Sequence, residues 1–177
     1  LNYKNCFDIG KNIAKFHKVG TKIKLYRQNS MSINKLGGLL KSIKFTSNKI
    51  APKLKPTLNV CLKDIKNQWP KKLPSGIIHG DLFIDNIFFN KNKFSGFIDF
   101  YFSSNDYLMY EIAICINALC FDKKRDSFVM NNEKIKHLID GYETIRSISK
   151  KEKSSLNILC RGAALRYLLT RIYDYFN

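Results

Sequence analysis

One stretch, residues 77–102, constrains the fold of this chain more than any other. Its sequence, IIHGDLFIDNIFFNKNKFSGFIDFYF, holds two apolar runs, Ile87–Phe89 and Phe94–Phe100, joined by the polar residues 90–93. Short runs rich in Phe and Ile with a polar linker between them predict a β-hairpin. We therefore expect a hairpin over about 87–100, with the rest of the chain packed around it.

Four polar side chains are spaced around this hairpin. His79 and Asp81 precede it, Asn86 follows Asp81 by five residues, and Asp99 closes the second predicted strand. Phosphoryl transfer from ATP needs such a set, because one Asp accepts the proton of the attacking hydroxyl while an Asn and a second Asp hold Mg²⁺. Each motif alone is short, and Asp and Asn routinely cap turns. Their joint order and spacing favour kinase chemistry.

The spacing His-x-Asp-x-x-x-x-Asn, followed by Ile-Asp-Phe, resembles the catalytic loop and metal-binding Asp of the aminoglycoside phosphotransferase and choline kinase superfamily. The resemblance implies that Asp81 is the catalytic base, that Asn86 and Asp99 are magnesium ligands, and that His79 braces the loop. It also implies an α+β, mostly α fold, the C-terminal lobe of a protein-kinase-like architecture, with the hairpin carrying the active site.

Three segments together resemble the homoserine kinases of this superfamily: HGDLFIDNIFF, IDFYFSSNDYLMYEIAICINALCF and RGAALRYLLTRIYD. Two positions depart from that pattern, since Gly80 stands where Ala is usual and Glu111 stands where Asp is expected. The resemblance implies ATP and Mg²⁺ as cofactors, and L-homoserine as the substrate whose hydroxyl is phosphorylated on the way to threonine.

A homoserine pocket needs an acid for the ammonium group and a cationic or amide donor for the carboxylate. Asp85, Asp106 and Glu111 are the candidate acids, although Asp85 is equally suited to stabilise the loop and Glu111 to form a structural pair within its helix. Polar loops beside a rigid scaffold often carry function, but Asn105 and Asp106 are equally suited to cap the next helix. The expected substrate-binding residues are Asp85, Tyr101, Asn105, Asp106, Arg161 and Arg166.

Other acceptors remain open at this stage: choline, methylthioribose or an aminoglycoside. Choline favours an aromatic cage for its quaternary ammonium, and Tyr101, Phe102 and Tyr107 are the rings available for one. Aminoglycosides favour a strongly acidic cleft. Only 14 acidic residues in a chain of net charge +17 argue against that acceptor.

The charge of +17 raises a second class of function, a basic helical module that binds nucleic acid. Only six of the 31 basic residues are Arg, however, and the lysines are scattered along the chain. Dispersed lysines are typical of a solvated face. We therefore expect ATP and a small substrate as partners, and no nucleic acid.

Apolar spacing predicts helices on either side of the hairpin. Five are expected, at about 4–19, 56–69, 107–121, 131–148 and 154–176. Residues 21–48 are expected to form a turn-rich connector with one helix at most, and residues 150–155 a solvated link.

The five cysteines show no CxxC pair, which favours a reducing cytoplasm over a disulfide or zinc framework. No apolar run approaches the roughly 18 residues that suggest a membrane span. Because the sequence opens at Leu1 and has no glycine-rich phosphate loop, we expect residues 1–177 to be a single C-terminal lobe. The lobe that clamps ATP is expected to lie outside this chain, leaving the piece inactive alone.

Overall fold

The computed structural model describes residues 1–43 and 51–176, and the end of the predicted connector, 44–48, falls outside them. This part of the chain is mostly helical, with three small antiparallel sheets of two strands each. The helices are α1 (Tyr3–Gly20), α2 (Leu36–Ser42), α3 (Leu54–Gln68), α4 (Leu108–Leu119), α5 (Asn132–Glu143) and α6 (Lys150–Phe176). The strands are β1 (Ser75–Ile78), β2 (Ile87–Asn90), β3 (Lys93–Phe97), β4 (Ser104–Tyr107), β5 (Phe121–Lys124) and β6 (Ser127–Met130).

Helix α4 forms the centre of the main core. Its sequence, LMYEIAICINAL, is apolar on nearly every side, and ten of its 12 residues are buried. A helix that is apolar all round must be covered on all sides, and α4 packs against α6, α5, α1 and β1. The surrounding helices therefore wrap the element that follows the hairpin and β4 in the chain and carries Glu111.

Helices α1 and α5 lie in close contact because glycines face the crossing. A Cβ on Gly10 would lie 1.9 Å from the carbonyl oxygen of Leu138, and one on Gly141 would lie 2.0 Å from that of Phe7. No side chain fits in these gaps. A second, smaller core joins α2, α3 and the later turns of α6.

The predicted hairpin is present, but its second strand is shorter than expected. Strands β2 and β3 pair antiparallel, with Ile87 opposite Phe97. Pairing ends at Phe97 rather than Phe100, because Asp99 adopts a left-handed conformation with φ of 60° and begins a short 3-10 turn over Phe100–Phe102.

The polar segment after the hairpin is a strand, whereas the sequence predicted a turn that caps a helix. Strand β4 pairs with β1, with Asn105 opposite Ile77 and Asp106 opposite Gly76. Helix α4 then starts at Leu108 without a side-chain cap. Partners distant in sequence supply the pairing, so local turn propensity did not decide this segment.

Two further differences between the predicted and the observed secondary structure have local causes. Helix α6 starts at Lys150, where a solvated link was expected, because Ser149 and Glu152 form a capping box. The backbone N–H of each is bonded to the side chain of the other, at 3.3 Å for Glu152 and 3.0 Å for Ser149. The hairpin of β5 and β6 was not predicted, and it turns at Arg125 with φ of 49°.

Among the described residues, none of the helices combines the length and the apolar character needed to cross a membrane.

Candidate active site

The loop between β1 and β2 carries the predicted catalytic motif, and His79 is its buried anchor. Its ring packs against that of Phe100, with centroids 4.7 Å apart. The N–H of Asp81 donates to Nδ1 of His79 over 3.3 Å, and Nε2 lies 2.8 Å from the carbonyl oxygen of Ile98. Because Nδ1 accepts a hydrogen bond, the proton lies on Nε2. His79 thus joins the loop to the residue before Asp99.

Glu111 lies completely buried beneath the same loop. Its carboxylate accepts hydrogen bonds from the backbone N–H groups of His79 and Gly80, the latter 3.1 Å from Oε1. Charged acceptors of this kind form strong hydrogen bonds. Glu111 therefore has a structural role, but it supports the loop backbone instead of forming the pair within its own helix that the sequence suggested.

Asp81 is half-buried and faces the guanidinium of Arg166 from α6, with 3.8 Å between Oδ1 and Nη2. Nη1 of the same arginine donates to the carbonyl oxygen of Gly80 over 2.6 Å. Burial raises the pKa of Asp81 above its ordinary value; Arg166 opposes this rise, while the carboxylates of Asp99 and Asp85 add to it. A raised pKa makes a carboxylate a better proton acceptor.

Asn86 and Asp99 are held next to Asp81 by short polar links. Nδ2 of Asn86 donates to the carbonyl oxygen of Asp81 over 2.8 Å, and the carbonyl oxygen of Asn86 accepts the N–H of Ile98 at 3.1 Å. Ile98 is therefore fixed by both Asn86 and His79. The structure brings together the three residues expected to act on the phosphate.

The oxygens at this position suit a hard divalent cation. Nδ2 of Asn86 is already bonded, which leaves Oδ1 as its free oxygen, and Asp99 is exposed. Over residues 1–43 and 51–176, no group of three or more His, Cys, Asp or Glu side chains is arranged to hold a metal. One or two protein oxygens completed by phosphate oxygens is the coordination that Mg²⁺ commonly takes. The donor set fits Mg²⁺ carried in with a nucleotide.

A cavity of about 230 Å³ opens in front of Asp81. Pockets for drug-sized ligands have volumes of about 300–1,000 Å³, so this one suits a smaller molecule. The catalytic loop and the 3-10 turn after β3 line one side with Asp81, Phe83, Asp85 and Phe102. Helix α6 lines the other side with Arg166, Tyr167, Thr170, Arg171 and Asp174.

Three of the expected substrate-binding residues lie elsewhere, against the segment before α2. The carbonyl oxygen of Tyr101 accepts from Arg27 at 2.7 Å, and its side chain is 70% exposed. Oδ1 of Asn105 accepts the N–H of Arg27 at 2.8 Å, and Asp106 accepts from Nδ2 of Asn29 at 2.6 Å. Burial raises the pKa of Asp106. None of the three is among the residues found to line the cavity.

The two arginines that were expected to bind substrate separate as well. Arg161 forms an exposed ion pair with Asp64 at 2.6 Å and borders a different, largely apolar cavity beside α3. Arg166 does reach the site, but its guanidinium is already in contact with Gly80 and Asp81.

Sequence reasoning missed most of the α6 wall. Tyr167, Thr170, Arg171 and Asp174 follow one another at intervals of three, one and three residues, which places them on one face of a helix. That spacing was readable from the sequence. Which neighbour this face meets was not, because nothing local indicates that α6 returns to the catalytic loop.

Comparison with known proteins decides the family. The model of the phosphotransferase enzyme family, APH, matches residues 2–146. The chain belongs to this family. The resemblance read from the catalytic-loop motif is thereby confirmed.

Curated members of the phosphotransferase family that match this chain include homoserine kinases. The chain is 41% identical to that of Allorhizobium ampelinum over 172 residues, which is 97% of this chain and 53% of the relative. It is 39% identical to that of Rhodospirillum rubrum over 174 residues, 98% of this chain and 53% of the relative. The chain therefore spans about half the length of these relatives.

Solved structures confirm the expected fold, the C-terminal lobe of a protein-kinase-like phosphotransferase. The structure of amicoumacin kinase hAmiN in complex with AMP-PNP, Ca²⁺ and Ami superposes with a TM-score of 0.71 at 13% identity, covering 99% of this chain and 53% of that one. An aminoglycoside-3'-phosphotransferase of type VIII gives 0.63 at 12% identity, covering 90% of this chain and 60% of that one.

Proposed function

We propose that the protein containing this chain transfers the γ-phosphoryl group of ATP to the side-chain hydroxyl of L-homoserine, giving O-phospho-L-homoserine. The observation that carries the proposal is the convergence of Asn86 and Asp99 on Asp81, which itself lines a small cavity. The acceptor is taken from the relatives of about 40% identity that are named homoserine kinase.

Asp81 is the proposed base. The hydroxyl of the acceptor would donate a hydrogen bond to its carboxylate, which orients the oxygen towards the phosphorus. As the new O–P bond forms and the bond to ADP breaks, the hydroxyl proton passes to Asp81. The raised pKa of Asp81 suits this transfer.

Asn86 and Asp99 are the proposed ligands of Mg²⁺. Asn86 would use its side-chain oxygen, because its side-chain nitrogen already donates to the carbonyl oxygen of Asp81. When bound, the ion neutralises charge on the phosphates. His79 holds this arrangement from below, since its bonds to Asp81 and Ile98 fix the distance between the two halves of the site. Asp85, which lines the cavity near Asp81, is the proposed partner of the substrate ammonium.

The proposal assigns residues 1–177 to one C-terminal lobe, with the ATP-clamping lobe elsewhere in the full-length protein. It also places the enzyme in the cytoplasm, where its five free thiols would stay reduced.

Choline is a weaker candidate, although aromatic rings line the cavity. The guanidinium carbon of Arg166 already lies over the rings of Phe102 and Tyr167, at 5.5 and 5.1 Å from their centroids. These faces are therefore occupied by a cation of the protein itself. Of the other rings considered for a cage, Tyr107 donates its hydroxyl to Pro70.

The test is magnesium-dependent ADP release by the full-length protein, with homoserine, choline, methylthioribose and kanamycin supplied separately. We expect release with homoserine alone, and its loss in Asp81→Asn. Release with another acceptor would retain the phosphoryl-transfer residues and overturn the substrate. A folded protein that releases ADP with none of the four would contradict the proposal and favour the basic nucleic-acid-binding module.

A further inference from the structure

The cavity in front of Asp81 has a charged wall that the proposed chemistry does not use. Tyr167, Thr170, Arg171 and Asp174 lie along one face of α6 and form that wall. Phosphoryl transfer needs the base, the metal ligands and the loop that holds them, all of which come from residues 79–99. The α6 face is therefore available to recognise the acceptor.

Most groups near this wall already have a partner. The hydroxyl of Thr170 donates to the carbonyl oxygen of Tyr167 at 3.0 Å, and the ring of Tyr167 packs edge-on against Phe83 at 4.6 Å. Arg166 is committed to Gly80 and Asp81. These contacts fix the shape of the cavity. Among the described residues that line it, the hydroxyl of Tyr167 and Nε of Arg166 are buried without a hydrogen-bond partner.

Arg166 and Arg161 both have a partner in the protein, whereas the side chain of Arg171 has none among the described residues. Within the described part of the chain, it lines the cavity without an ion pair or hydrogen bond to the protein. Guanidinium groups bind carboxylates through two parallel N–H donors, which makes them the usual choice where a planar anion is recognised. A solvent-exposed, unpaired guanidinium that lines a small cavity beside the proposed catalytic carboxylate fits a ligand that carries a carboxylate.

The position of Arg171 also suits a short ligand. It follows Arg166, which contacts Asp81, by five residues of one helix, a rise of about 7.5 Å along the axis. A hydroxyl placed at Asp81 and a carboxylate a few bonds away would span this interval. Asp85 lies on the opposite side of the same cavity, where an ammonium group would meet it.

We infer that Arg171 binds the α-carboxylate of the acceptor, so that the cavity selects hydroxy amino acids over alcohols that carry only an ammonium group. This inference rests on the proposed function and extends it from the reaction to the recognition of the substrate class. It also replaces Arg161 and Arg166, the two arginines that the sequence suggested for this role.

The test compares two acceptors, L-homoserine and 3-aminopropan-1-ol, which lacks the carboxylate. The full-length protein, its Arg171→Gln variant and its Arg161→Gln variant are assayed for kcat and KM by ADP release. Arg161 is the matched control, because it is on the same helix and forms an exposed ion pair outside the cavity.

We expect Arg171→Gln to raise KM for homoserine by about ten- to a hundredfold, which is the loss of one charged hydrogen-bonded contact. Its kcat/KM for 3-aminopropan-1-ol should stay unchanged, so that the preference between the two acceptors disappears. Arg171→Lys keeps the positive charge but lacks the two parallel N–H donors of the guanidinium, and it should retain part of the preference for homoserine. Arg161→Gln should retain all of it.

Asp174 provides a further check, because it is an acid on the same wall as Arg171. If Arg171 served only to pair with it, Arg171→Gln and Asp174→Asn would weaken both acceptors equally. We expect Asp174→Asn to leave the preference for homoserine in place.

The two levels of the proposal fail differently. A wild-type enzyme that phosphorylates homoserine, and an Arg171→Gln variant that still prefers it to the same extent, would overturn the role of Arg171 alone. A wild-type protein that does not phosphorylate homoserine, or that prefers 3-aminopropan-1-ol, would overturn both the proposed function and this inference.

Discussion

The catalytic loop and the α6 face line the same cavity, but they are built in opposite ways. In the loop, the backbone is fixed by buried side chains: Glu111 holds two N–H groups and His79 links Asp81 to Ile98. On α6, the backbone is fixed by the helix itself, and side chains such as Arg171 project from it without protein partners in the part described.

Under the proposed function, this difference separates the residues of the phosphoryl-transfer step from those that recognise the acceptor. A loop whose geometry depends on buried polar contacts changes position when one of them is lost, so substitutions there affect both stability and turnover. A helix keeps its backbone when a surface side chain is replaced, so substitutions there change what is bound. Most of the following predictions test the loop side of this comparison, and the α6 side is tested by the acceptor preference described above.

The largest effect is expected for Asp81→Asn, which should lower kcat by about 10²–10⁴-fold through loss of the proposed base. The same variant should be more stable at pH 7 than the wild type. Because the pKa of Asp81 is raised in the folded protein, its ionised form costs folding free energy above that pKa and none below the ordinary value. Urea unfolding at pH 7 and near pH 3 checks this, and a variant less stable at pH 7 would contradict it.

Glu111→Ala should come next, with an unfolding free energy lower by about 3–5 kcal/mol, because two buried N–H groups lose a charged acceptor. Glu111→Asp, the residue expected from the homoserine kinase pattern, keeps the charge on a shorter side chain and should cost less. Denaturant unfolding of both variants measures the difference. Equal stability of the Ala variant and the wild type would mean that the loop does not depend on Glu111.

A smaller effect is expected for Gly80→Ala, about 1–2 kcal/mol, because Gly80 has φ of 82° and an added Cβ would lie 2.8 Å from the carbonyl oxygen of Phe102. Gly96→Ala in β3 is the matched control, since a Cβ there meets no described atom within 4 Å. A Gly80 variant no less stable than the control would show that the loop relaxes at little cost. This outcome would bring the chain into line with the Ala usual at this position.

The smallest effect is a shift in pH dependence. Arg166 lowers the pKa of Asp81 against the effect of burial, so Arg166→Met should move the acidic limb of the kcat/KM profile to higher pH. Arg166→Lys keeps the charge but loses the bond to Gly80. The acidic limb of its kcat/KM profile should stay closer to that of the wild type. If both variants keep the wild-type limb while losing activity, Arg166 acts on loop position and not on the charge of Asp81.

The sequence by itself determined the residues whose partners are near in the chain. His79, Asp81 and Asn86 lie within eight residues, and the hairpin that brings Asp99 back to them is a local structure, so motif spacing was enough to predict that these four residues lie close together. The mostly helical fold also followed from apolar periodicity and from the resemblance.

Only the tertiary structure decided which distant elements meet these residues. It turned the predicted turn at Asn105 and Asp106 into a strand by pairing it with β1, and moved both side chains away from the cavity. It placed Glu111 beneath the loop, and brought Arg166 and Arg171, but not Arg161, to the site. The physical reason is that these contacts join residues far apart in the chain, where helical spacing gives the face of a helix but not the neighbour that covers it.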